Sequence, residues 1–136
     1  MRKKLFGSLL ISGALIISAC HKSNDITGSS NPGVVVGTWK VSLFKDSGND
    51  ETTDFSGYTF TFNSDGSLAA AKGSSTTNGS WSKTSKFNID LGPKTDANKP
   101  LGELTDDWQI ISIDSTLIKL GDDNSASGES LTFIKN

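Results

Sequence analysis

The stretch Tyr58-Thr59-Phe60-Thr61-Phe62 sets a large aromatic ring at every second position and a β-branched hydroxyl residue between. Successive side chains of a strand point to opposite faces, so this spacing describes a ribbon with one dry face and one wet face. A helix would scatter the same rings around its axis. The period returns in Trp39-Lys40-Val41-Ser42-Leu43 and in Phe87-Asn88-Ile89-Asp90-Leu91. Eight short strands are expected, over 34–44, 57–62, 67–72, 79–83, 87–91, 107–113, 117–120 and 129–135, with no helical stretch. Asn63-Ser64-Asp65-Gly66 and Asp114-Ser115-Thr116 read as tight turns. The run 73–78, the polar stretch 92–106 and the run 121–128 read as longer connections.

Consecutive strands joined by short turns pair as antiparallel neighbours. Eight of them, each with one apolar face, close into an up-and-down meander barrel, which removes exposed edges. A two-sheet sandwich is the competing solution, and the absence of a long crossover favours the barrel. The inward positions are then Trp39, Val41, Leu43, Tyr58, Phe60, Phe62, Leu68, Ala70, Trp81, Phe87, Ile89, Leu91, Trp108, Ile110, Ile118, Leu120, Leu131 and Phe133. Such a barrel is wide enough to be filled by side chains or to hold one small ligand. Trp39, Val41, Tyr58, Phe60, Phe62, Trp81, Phe87, Trp108 and Phe133 therefore either line a ligand cavity or form a solid core. The small side chains Ala69, Ala70 and Ala71 could open one side of the interior. Trp39, Trp81 and Trp108 fall near strand starts, where an indole lines the mouth of a barrel or plugs it.

Only 34% of the 136 residues are hydrophobic, and the densest apolar run lies ahead of the strands. Met1-Arg2-Lys3-Lys4 is cationic, and residues 5–17 are apolar with Gly and Ser interruptions. That length is short for a bilayer span and right for a secretory signal. It ends in Ile17-Ser18-Ala19-Cys20, which resembles the lipobox of bacterial lipoproteins, and Cys20 is the sole cysteine of the chain. The resemblance implies cleavage of residues 1–19, acylation of Cys20 with chains such as palmitate, and anchoring in the lipid bilayer. Two or three acyl chains hold a protein stably where one does not. His21 follows in place of the acidic residue linked to inner-membrane retention, which points to the outer membrane on either its periplasmic or its external face. Residues 20–33 read as the lipidated cysteine and a flexible tether, and 34–136 as the folded domain.

Gly37-Thr38-Trp39 at the start of the first strand looks like the Gly-x-Trp motif of lipocalins. The order Gly37–Val41, Tyr58–Ser67, Gly79-Ser80-Trp81, Asp107–Ile113 and Leu131-Thr132-Phe133 resembles the small lipocalin-like lipoproteins of the Bacteroidetes. The longer chain, disulfide, terminal helix and Thr-Asp-Tyr motif of larger lipocalins are missing. The resemblance implies the barrel more strongly than it implies ligand transport, because a fold does not fix a function.

Little in the sequence speaks for catalysis, a metal or a cofactor. His21 is the only histidine, so neither a Ser-His-Asp arrangement nor a zinc set can be assembled. Asp106-Asp107 and Asp122-Asp123-Asn124 lack the spacing of a calcium loop, and no Asp or Glu falls on an expected inward position. Asp114-Ser115-Thr116 resembles a short glycosylation acceptor of the Bacteroidetes. The net charge of −2 excludes a basic nucleic-acid surface. What remains is a membrane-anchored, non-enzymatic lipoprotein that binds a small hydrophobic ligand in its barrel. The alternative is a packed barrel acting as a structural or interaction module through the loops 73–78, 92–106 and 121–128, its protein partner unknown.

Overall fold

A computed structural model describes residues 32–136; Cys20, His21 and the expected signal and tether lie outside this range. The described chain forms one sheet of nine strands: β1 (Gly37–Asp46), β2 (Asn49–Asp50), β3 (Tyr58–Phe62), β4 (Ser67–Lys72), β5 (Ser75–Lys83), β6 (Lys86–Asp90), β7 (Asp106–Ile113), β8 (Leu117–Gly121) and β9 (Ser130–Lys135). Each pairs antiparallel with its sequence neighbour, except that β1 reaches past the two-residue β2 to pair with β3. β9 returns to β1 over Trp39↔Lys135 to Lys45↔Ser130. Eight strands thus close a meander barrel, with β2 as an appendage of β1.

Strand β4 spans the expected residues, and five of the other expected strands differ by one position at one or both ends. The exceptions are informative. Strand β5 begins at Ser75, because Gly73 takes φ 59° and Lys72 pairs directly with Ser75. Most of the expected 73–78 connection is therefore ladder. The first strand begins at Gly37, three residues late, since Pro32–Val34 is a 3-10 turn. Three more such turns, Thr52–Phe55, Asp96–Asn98 and Leu101–Leu104, correct the expectation of no helical stretch.

Leu43 is a correction with a clear cause. The β1–β9 register shifts between Val41 and Leu43, and one extra residue reverses the face of everything that follows. Phe44 is buried in its place, at 2% exposure. A matching shift in β7 between Ile110 and Ser112 leaves Ile111 exposed and packs Ile113 against the core. Val41, Tyr58 and Ile110 are half-buried against the core, and the other expected inward residues are buried. Val35, Phe55, Leu101 and Leu104 join them from outside the barrel strands. Among the described residues, no helix is long and apolar enough to cross a membrane.

The barrel has an entry end, where β1 begins and β9 finishes, and a far end. Tight turns close the entry end. The far end carries the segments 47–57, 91–105 and 122–129.

Candidate functional site

Interior and exterior were the two places open to a ligand, and the interior is occupied. Phe60 and Phe62 lie edge-on to Phe133 at 5.4 and 5.5 Å between ring centres. Phe62 meets Trp81 and Phe87 at 5.5 and 5.7 Å, and these two stack on each other at 5.8 Å. Ala70 pairs with Phe60 across the β3–β4 ladder, so its small side chain accommodates a ring. An empty apolar void costs about 24 cal/mol per Å³. A dry 300 Å³ pocket would then cost about 7 kcal/mol, comparable to the whole stability of a small domain. Filling the barrel with rings avoids that cost.

The indoles seal the ends. Trp39 Nε1 donates to Val35 O at 2.7 Å and Trp108 Nε1 donates to Leu104 O at 2.9 Å. Both side chains are nearly inaccessible, and a buried donor left unpaired would cost about 1–3 kcal/mol. Trp81 Nε1 donates to Asn63 O in the β3–β4 turn at 2.9 Å. Of the nine residues read as cavity lining or core, Trp39, Phe60, Phe62, Trp81, Phe87, Trp108 and Phe133 are buried in one cluster, and Val41 and Tyr58 pack at its edge.

Open concavities lie elsewhere. One of 310 Å³ is a shallow hollow on the outer face of β5, β6 and the start of β7, lined by Ser80, Ser82, Asn88, Asp90 and Asp107 among others. A second, of 380 Å³, is a slit between β1 and β3 lined by Lys40, Val41 and residues 55–59. The third, of 170 Å³, is a cleft at the far end, where Phe44 and Asp46 of β1 meet Lys94, Thr95, Asp96, Lys99, Glu103 and Glu129.

The far-end cleft concentrates charge. Single carboxylate oxygens of Asp46, Glu51 and Glu103 lie within 4.8 Å of one another. Glu103 Oε1 accepts from Lys99 Nζ at 3.0 Å, whereas Glu103 Oε2 is buried without a partner. Burial, then the charges of Glu103 and Asp46, raise the Glu51 carboxyl above its ordinary value. Burial likewise raises Glu129, and the Glu103 hydrogen bond raises Lys99. Three half-buried carboxylates could hold a hard cation through oxygen, but the Lys99 ammonium already bonds Glu103 and offsets part of the charge. No sequence motif marks this cluster, since its members come from residues 46, 51 and 103. The segment that supplies Glu103 was expected to be a plain polar loop. Leu101 and Leu104 pin it to the barrel, and Gly102 permits the close fold, because a Cβ there would stand 2.2 Å from Pro93 O.

Several other acidic groups are engaged locally. Asp106 pairs with Lys94, and Asp123 with Lys86. Asp114 Oδ1 accepts from Thr116 N, Thr116 Oγ1 and Leu117 N at 2.7–2.9 Å, which lowers its pKa and fixes the β7–β8 turn.

No known family profile matches the chain, and no curated protein is similar to it in sequence. Solved structures are similar to it in fold. A lipocalin-like protein from Bacteroides uniformis superposes with a TM-score of 0.58 at 20% identity, over 76% of this chain and 100% of the other. A DUF4847 family protein from Bacteroides vulgatus gives 0.51 at 21%, over 74% and 92%. An uncharacterized protein from Bacteroides eggerthii gives 0.55 at 16%, over 74% and 98%. The described domain is a lipocalin-like β-barrel. Its particular likeness is to small barrels of Bacteroides, the resemblance first carried by Gly37-Thr38-Trp39 and the alternating strands.

Proposed function

We propose that this chain is a non-enzymatic lipoprotein, anchored in the outer membrane through acylated Cys20, whose barrel is a packed scaffold for interactions made at its far end. One observation carries the scaffold reading: the interior is filled by a continuous pile of aromatic rings, with Trp39 and Trp108 bonded across the two ends. Binding is thereby displaced to the exterior, and the far end carries the longer segments and the charged cleft. The anchor rests on the Ile17-Ser18-Ala19-Cys20 sequence.

Two experiments test this reading. Metabolic labelling of the full chain with an alkynyl palmitate in a Gram-negative host should tag the protein and place it in the outer-membrane fraction. Cys20→Ala should lose the tag and release the protein; a tagged Cys20→Ala variant overturns the anchor. Titration with decanoate, retinol and haem should leave the emission of the buried tryptophans unchanged. A saturable change that Phe60→Trp abolishes would restore the competing reading, a small hydrophobic ligand held within the barrel by parting of its rings.

A further inference from the structure

We propose that the slit between β1 and β3 docks an extended, acidic peptide segment of a partner protein, which adds its backbone to the ladder interrupted there. This goes beyond the far-end reading and needs neither the cleft nor the acyl anchor.

Strands β1 and β3 pair over Gly37↔Phe62, Thr38↔Thr61 and Trp39↔Phe60 and then stop. The next rungs, Lys40 with Thr59 and Val41 with Tyr58, are not made. The cause is local: the 3-10 turn ahead of β3 takes the place beside β1, with Glu51 N donating to Phe44 O at 3.0 Å and Phe44 N donating to Thr52 Oγ1 at 2.9 Å. The β1 bulge after Val41 accompanies the divergence.

Strand alternation says which groups face the gap. Backbone N–H and C=O groups of an antiparallel strand turn to one neighbour and then the other. Asn63 N donates to Ser67 O, so the odd-numbered residues of β3 bond to β4, and Tyr58, like Phe60 and Phe62, turns toward β1. Asn136 N donates to Thr38 O, so the even-numbered residues of β1 ahead of the bulge face β9, and Val41 turns toward β3. Val41 and Tyr58 therefore each direct one N–H and one C=O into the slit. Unpaired strand edges template further strands, and main-chain bonds of this kind supply much of the affinity in strand addition.

The walls choose among extended chains. The slit's 380 Å³ lies within the roughly 300–1,000 Å³ of ordinary ligand sites. Phe55, nearly buried with its ring centre 5.1 and 6.4 Å from those of Phe44 and Phe60, and half-buried Tyr58 line the slit. That pair offers an apolar seat for one side chain of the guest. Lys40 lines the rim, and Lys72 Nζ sits 5.0 Å from the Tyr58 ring centre. No carboxylate lines the slit, so the charge favours an acidic guest.

The test uses the full chain, labelled with nitrogen-15 in a constant concentration of non-ionic detergent, and the capped peptide Asp-Val-Thr-Val-Asp. The Val41 and Tyr58 amides should exchange fast in the free protein, shift saturably with peptide, and exchange at least about ten-fold more slowly when it is bound. Lys40→Glu, at an exposed position, should weaken binding about five-fold, and a peptide with Lys in place of each Asp should bind worse than the parent. The proposal is overturned by protection of both amides before peptide is added, by the lack of a saturable shift, or by shifts that map elsewhere. Displacement of the peptide by decanoate with the same shifts would make the slit an acyl-chain site and overturn it as well.

Discussion

The two ends of the barrel are closed by one device taken from distant parts of the chain, yet they present very different surfaces. At the entry end the 3-10 turn Pro32–Val34 leads to buried Val35, and the Trp39 indole bonds back to its carbonyl. At the far end the turn Leu101–Leu104 delivers buried Leu104, and Trp108 bonds back to it in the same way. A bulge begins two residues after each tryptophan. The surfaces diverge from there. Tight turns capped by Asp65 and Asp114 finish the entry end, while the far end holds long segments and three clustered carboxylates. Closure alone does not account for long loops, since the entry end closes without them. The additional chain at the far end builds a charged cleft, and binding residues are commonly placed on such loops.

Deleting either indole should test that equivalence most severely. Trp39→Ala and Trp108→Ala should each cost about 3–5 kcal/mol in chemical denaturation. A large loss at one end with little at the other would break the equivalence. Trp39→Phe and Trp108→Phe keep much of the ring but strand a carbonyl, and each should cost about 1 kcal/mol. The pair should match closely, because the two bonds are alike in length and burial.

A pH titration of stability separates two sets of carboxyls by sign. Glu51 and Glu129 carry carboxyls raised above 4.5, chiefly by burial, so they bind their protons more tightly in the folded state. Their penalty is present at neutral pH, is relieved as pH falls through the raised values, and is gone below 4.5. Asp65 and Asp114 behave oppositely. Hydrogen bonds from Ser67 and Thr116 lower their carboxyls below 3.8, so their stabilisation is full above 3.8 and is lost as pH falls through the lowered values. Stability should thus rise on mild acidification and fall on strong acidification. A monotonic decline from pH 7 would show that the raised Glu51 and Glu129 carboxyls carry no such penalty. The smallest effect belongs to a single group: Glu103→Gln should move the Glu51 midpoint down toward 4.5, read by carbon-13 NMR, since it removes a neighbouring negative charge. An unchanged midpoint would show that the two carboxylates do not interact.

Within the described residues, the sequence by itself determined the period, and with it the strands, the antiparallel order and most of the core, from Trp39 through Phe60, Phe62 and Trp81 to Phe133. Alternation is a local property, recorded in every pair of neighbouring residues, so it can be read before anything is folded. Leu43 and Phe44 mark where that reading stops. Which of them turns inward depends on one bulge, and the bulge exists only in the pairing of β1 with β9. Phe55, Leu101 and Leu104 carry no alternation to betray them; they are buried because two segments fold back onto the barrel. The meeting of Asp46 and Glu51 with Glu103, and the gap left between Val41 and Tyr58, also belong to the tertiary structure. Contacts between residues far apart in the chain arise when the barrel closes, and no window of sequence contains them.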